Sequence, residues 1–131
     1  MDLKSRTVSV FVKCPPSDVY GFVVDPRNLP QWARGLCRSI RPSDDAWLVE
    51  SPLGEVRLRF VPPNAFGVLD HVVTFANGQE VLNPMRVVQN GDGSEVLFTL
   101  FQSNGMSDLQ FVEDVAMVER DLRMLKEILE G

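Results

Sequence analysis

The chain has 131 residues, of which 44% are hydrophobic and 24% charged, the size and balance of one soluble globular domain. That composition excludes disorder, a collagen-like repeat or a coiled coil as the main content. The net charge of −5 provides no concentrated positive field, which argues against nucleic acid or an anionic membrane surface as partner.

Residues 7–13 alternate with the strand period and place Val8, Val10 and Val12 on one face. Pro15-Pro16 stops that strand and suits a first helical turn, so a short helix is expected over about 16–24. Asp25-Pro26 pairs an N-cap residue with a proline at the first helical position and starts a second short helix, which carries Leu29 and Trp32 and ends near Gly35. From Leu36 the period returns to two. Strands are expected at about 36–42, 45–50, 55–61, 66–75, 81–89 and 95–102, broken by Pro, Gly, Asn and Asp clusters. Asn77-Gly78 is a strong hairpin signal, so the strands read as an antiparallel meander.

Ser107-x-x-Gln110 is a capping box ahead of a long helix at about 107–130. Phe111, Val115, Val118, Leu122, Leu125 and Leu129 form its apolar stripe. The expected fold is α+β, one domain over 1–131. A curved seven-stranded antiparallel sheet wraps around the long C-terminal helix, with two short helices after strand 1. The space between helix and sheet is a pocket suited to a small apolar molecule.

Cys14 and Cys37 are too few for a disulfide framework and lack metal-ligand spacing, and no metal or cofactor is expected. The first residues, Met1 to Arg6, contain no apolar run of the kind a secretory leader needs, and no segment reaches the ~18 apolar residues of a membrane span. The reading is cytoplasmic.

The opening Val8-x-Val10-Phe11-Val12-x-x-Pro15-Pro16-x-x-Val19-Tyr20-x-Phe22-Val23-x-Asp25-Pro26-x-Asn28-Leu29-Pro30-x-Trp32 resembles the START-like, or SRPBCC, helix-grip superfamily. Within it, the pattern is similar to the polyketide cyclase/dehydrase-like subgroup. Gly93 to Leu100 resembles that group's late strand, the C-terminal amphipathic helix matches as well, and the resemblance spans about 5–130. It implies a hydrophobic cavity between the sheet and the last helix, gated near the second short helix, and no universal catalytic motif. The fold hosts carriers, receptors and enzymes, so it does not by itself assign an activity.

Strand register decides which side chains line the cavity, because a one-residue slip exchanges the faces. A two-residue Asn77-Gly78 loop sets Thr74 opposite Val81, Val72 opposite Asn83 and Asp70 opposite Met85. A two-residue Gly91-Asp92 loop sets Met85 opposite Phe98 and Asn83 opposite Leu100. The shared face is then Val68, Asp70, Val72, Thr74, Val81, Asn83, Met85, Val87, Val96, Phe98 and Leu100. The expected ligand-binding residues are Val72, Asn83, Met85, Phe98 and Leu100, with Asn83 and Asp70 orienting one polar end, Trp32 at the mouth and the Tyr20 phenol as a donor. Each polar member also has a bland reading: Asp70, Thr74 and Asn83 as satisfied strand-end groups, Tyr20 as a helix anchor, Trp32 as core.

The same register puts His71, the one histidine, on the outer face with Leu69, Val73, Phe75, Leu82, Val88, Leu97 and Phe101. It reads there as a structural or surface residue, and Arg57 and Arg59 read as a solvated face. So apolar an outer face means either that this register is wrong or that the sheet pairs with another chain, and a homodimer is expected. Three functions stay open. The first is a binding module for a lipid-like or aromatic molecule. The second is a polyketide cyclase/dehydratase-type enzyme with Asp70 or Tyr20 moving protons, which a raised Asp70 pKa would favour. The third is a protein-interaction subunit docking through the sheet face.

Overall fold

The computed structural model describes residues 2–131. β1 (Ser5–Val12) leads into α1 (Pro16–Val23), a 3₁₀ turn at Pro26–Asn28 and the single turn of α2 (Leu29–Trp32). Pro16 occupies the start of α1, and Asp25 caps the 3₁₀ turn by accepting the Arg27 N–H at 3.1 Å. Then come β2 (Ser39–Ser43), β3 (Ala46–Ser51), β4 (Gly54–Phe60), β5 (His71–Thr74), β6 (Glu80–Asn83), β7 (Met85–Asn90) and β8 (Gly93–Phe101). The last element is α3 (Asp108–Glu130), where Ser107 accepts the Gln110 N–H at 3.1 Å. The Gln110 side chain does not close the box; it donates to Asp114 at 2.7 Å.

The strands are antiparallel but do not form the single seven-stranded sheet expected from the sequence. Eight strands make two sheets, one of three in the order β1-β8-β7 and one of five in the order β2-β3-β4-β5-β6. The expected strand at 81–89 divides at Pro84. Proline has no N–H for a ladder, so β6 ends there. The Pro84 carbonyl still accepts the Thr99 N–H at 2.9 Å, and β7 resumes at Met85 beside β8. The expected strand at 66–75 shortens to β5, with Val68 bridging Arg86 across the seam between the sheets.

The two hairpins fared differently. The Gly91-Asp92 loop has the expected length, and Met85↔Phe98 and Val87↔Val96 pair as read. The Asn77-Gly78 loop is one residue longer. A type I′ turn needs positive φ at both central residues, but here only Gly78 is positive, at +89°. Gly78 N–H bonds Phe75 O and Phe75 N–H bonds Gln79 O, both at 2.9 Å, which closes a three-residue loop with a left-handed glycine. The register therefore slips by one: His71 faces Asn83, Val72 faces Leu82 and Val73 faces Val81. Leu69, His71 and Val73 turn inward and are buried, while Asp70, Val72 and Thr74 turn outward. This corrects the sequence-based assignment of all six.

α3, about 35 Å long at 1.5 Å per residue, lays Val115, Val118, Leu122 and Leu125 into the core, with Phe111 and Leu129 half-buried at the ends of the stripe. Lys126 ties its C-terminal end to β1 by donating to the Phe11 carbonyl at 2.7 Å. Gly35 permits the close approach of α3 to the segment after α2: a Cβ there would lie 2.2 Å from Met117 Cγ. No helix among the described residues is long and apolar enough to cross a membrane. The architecture is a helix-grip fold.

Candidate functional site

The interior is not completely filled. A cavity of about 60 Å³ lies between α2, the five-stranded sheet and α3, lined by Leu29, Trp32, Ala33, Leu36, Leu58, Phe60, His71, Phe98, Met117, Val118 and Asp121. Beside it is an open groove of about 690 Å³ that includes Val24, Trp47, Arg59, Pro62, Val72 and Leu82. Phe60 and His71 line both, so the two spaces adjoin at this pair of side chains. The rings are 4.9 Å apart between centroids, and Phe98 packs its edge on His71 at 5.6 Å.

Three polar groups interrupt the apolar lining. Trp32 is 4% exposed, and its Nε1–H is a buried side-chain polar atom with no partner among the described residues. A buried donor left unpaired costs about 1–3 kcal/mol. His71 is buried, and its Nδ1 lies 3.0 Å from the Leu69 carbonyl. A carbonyl only accepts, so Nδ1 carries the proton and Nε2 presents a lone pair. Burial lowers the histidine's pKa and keeps the ring neutral.

Asp121, on α3, accepts the Gly35 N–H at 3.3 Å. Burial pushes its carboxyl pKa up to about 6 against an ordinary 3.8, with the Gly35 hydrogen bond and Arg120 working the other way. Asp121 thus holds its proton more tightly folded than unfolded. Its contribution to stability is most favourable in acid, declines as pH rises from 3.8 to about 6, and is flat above that. Asp121→Asn is therefore expected to stabilise the fold at pH 8 by on the order of 1 kcal/mol, a value reduced for partial solvation. The gain should vanish near pH 4, as thermal melts of the two proteins at each pH will show.

Of the residues singled out from the sequence, Trp32 and Phe98 line the cavity, Trp32 inside it and not at a mouth. Met85 and Leu100 are buried core, Val72 lines the outer groove, and half-buried Asn83 stands opposite His71. Asp70 is engaged elsewhere: it takes a two-point ion pair from Arg86 at 3.0 and 2.9 Å and accepts the Met85 N–H at 2.8 Å. The Arg86 guanidinium holds its carboxyl below the usual range, the opposite of what proton transfer by Asp70 requires. The Tyr20 hydroxyl accepts the Asn64 N–H at 2.9 Å and anchors the β4–β5 loop. The Cys37 thiol, pushed up to about 11 by burial, is not a nucleophile at neutral pH. Among the described residues no group of three or more His, Cys, Asp or Glu could hold a metal.

His71 and Asp121 were missed from the sequence. Asp121 carried a readable signal, since it lies four residues from both Met117 and Leu125 at the margin of the apolar stripe. His71 was hidden by the register of one loop.

No protein-family model matches the chain, and no curated protein matches its sequence. Solved structures do share its fold. XoxI from Bacillus cereus superposes with a TM-score of 0.79 at 16% identity, over 97% of this chain and 96% of that one. Ara h 8.0201 gives 0.72 at 13% identity, over 98% of both chains. DynU16, from the dynemicin biosynthetic locus, gives 0.74 at 18% identity; the match covers 97% of this chain and 47% of DynU16. These likenesses support the START-like resemblance at the level of fold.

Proposed function

We propose that the chain is a binding module that takes a small, largely apolar molecule between the five-stranded sheet, α2 and α3 without changing it chemically. The observation that carries this reading is an interior, mostly apolar cavity whose lining includes Trp32, a residue with a buried N–H that has no partner among the described residues. Such a donor gains from a ligand oxygen more than an already satisfied group does. The cavity alone is small against the roughly 300–1,000 Å³ of ordinary ligand sites. The groove beside it supplies the rest, and Phe60 and His71 are the side chains to be passed.

The test is titration with N-phenyl-1-naphthylamine, a neutral dye that brightens in apolar surroundings. Saturable binding of one dye per chain is expected. Ala33→Leu, which puts a larger side chain into the cavity, should weaken it by about tenfold or more by overfilling the space. Equal binding by the variant would place the dye elsewhere.

Asp121 favours a second reading, the cyclase/dehydratase-type enzyme. A carboxyl with a pKa of about 6 in an apolar cavity is close to the value a general base needs at neutral pH. In that reading Asp121 takes the proton-transfer role first given to Asp70 or Tyr20. The homodimer and the protein-docking surface are also proposals. After the register correction they rest on Leu82 and Val88, which are exposed but belong to different sheets. Light scattering at high micromolar concentration should give twice the 14.7 kDa chain mass if the dimer forms, and a monomer mass removes it.

A further inference from the structure

The cavity lining has a definite pattern of donors, acceptors and charge, and from it we infer that the buried end of the ligand is a neutral hydroxyl, an alcohol or phenol, and not a carboxylate. This rests on the binding reading above and names the class of ligand.

Trp32 Nε1–H can donate and cannot accept. The neutral His71 has its Nδ1–H committed to the Leu69 carbonyl, so Nε2 can accept and cannot donate. The Leu69 contact is the one hydrogen bond of the His71 ring among the described residues, and Nε2, which is not among the fully buried unpartnered atoms, keeps surface open to a ligand. A hydroxyl is the simplest group that answers both, since one oxygen accepts from the indole and donates to the imidazole. A ketone serves Trp32 alone and leaves the histidine lone pair unmet. A hydrocarbon serves neither.

Charge rejects the carboxylate. Asp121 lines the same cavity, and no lysine or arginine does. Arg120, which attracts Asp121 from the next position in α3, is exposed and is not part of the lining. Two carboxylates in one water-poor pocket resist joint ionisation, and the neutral His71 supplies no counter-charge. Arg59 lies in the outer groove, so an anion reversed to meet it would stay outside the cavity and be indifferent to Trp32. The apolar body of the ligand belongs in that groove, whose walls include Val24, Trp47, Val72 and Leu82.

The test uses three molecules with one ring system: 2-naphthol, 2-naphthoate and naphthalene, each titrated calorimetrically into the full chain at pH 7.5. The inference predicts 2-naphthol about tenfold or more tighter than either of the others, the scale of a hydrogen bond made against one left unmade. In Trp32→Phe the preference for 2-naphthol over naphthalene should fall to near one. In Asp121→Asn, which keeps the side-chain oxygen that Gly35 uses, 2-naphthoate should gain about fivefold or more as the like charge is removed. Naphthoate binding as tightly as naphthol to the unaltered chain overturns the inference, as does a naphthol preference that survives Trp32→Phe. Should Trp32→Phe fail to fold, an unchanged naphthoate affinity in Asp121→Asn overturns it alone. Naphthalene binding as tightly as naphthol sinks the hydroxyl inference and leaves the module, whereas binding of none of the three sinks both.

Discussion

Leu125→Ala is expected to destabilise the protein by about 3 kcal/mol, within the 2–5 range for truncating a fully buried leucine. Leu125 is 0% exposed, the most deeply buried residue of the stripe by which α3 closes the core. The truncation both forfeits transfer energy and leaves a hole, because helix and strands are held by many other contacts and relax only in part. At this chain length the loss corresponds to a fall in Tm of roughly 10–15 °C. Thermal unfolding followed by circular dichroism checks it, and a loss below ~1 kcal/mol would mean that α3 does not close the core as described.

Gly67→Ala is expected to cost about 2–4 kcal/mol, from an enforced left-handed backbone and a backbone clash together. Gly67 has φ of +72°, and a Cβ there would sit 2.3 Å from the Val87 carbonyl oxygen. That oxygen belongs to a backbone that cannot swing aside, since Val87 N–H is bonded to the Gly67 carbonyl at 3.0 Å. The position lies at the seam where the two sheets meet, next to the Val68–Arg86 bridge. The loop leading to it is held by Asn64, whose side-chain oxygen accepts the Phe66 and Val68 N–H groups at 3.0 and 3.1 Å. Urea unfolding of this variant beside Gly78→Ala separates the two causes, because a Cβ at Gly78 (φ +89°) meets nothing within 4 Å. Equal losses in the two variants would remove the clash from the account.

Elements governed by local chemistry were legible in the sequence. Pro16, Asp25-Pro26 and Ser107 start helices within a residue or so of the expected positions, because caps and proline act on the nearest turn. The Gly91-Asp92 hairpin was readable for the same reason, and with it the inward set Met85, Val87, Val96 and Phe98. What failed was a choice between two turns that the same Asn-Gly pair permits. One extra residue in that loop reversed β5, moving His71 into the core and Asp70 to the surface. The division into two sheets was also marked in the sequence, by Pro84 within an apparent strand. The cavity was foreseeable as a place and not as a chemistry. Its two titratable groups come from β5 and α3, and only the packed fold brings them to one wall.

An apolar ligand that enters the cavity walled by Trp32, His71 and Asp121 must come against the Trp32 indole. The most direct measurement is the emission of Trp32 alone, in a Trp47→Phe background, during titration with N-phenyl-1-naphthylamine. Trp47 lines the outer groove, so its removal leaves one reporter, at the interior wall. Saturable quenching of Trp32 is expected, reaching half-maximum at the same dye concentration as the rise in dye fluorescence. Dye that brightens on the protein while Trp32 emission stays unchanged would contradict it.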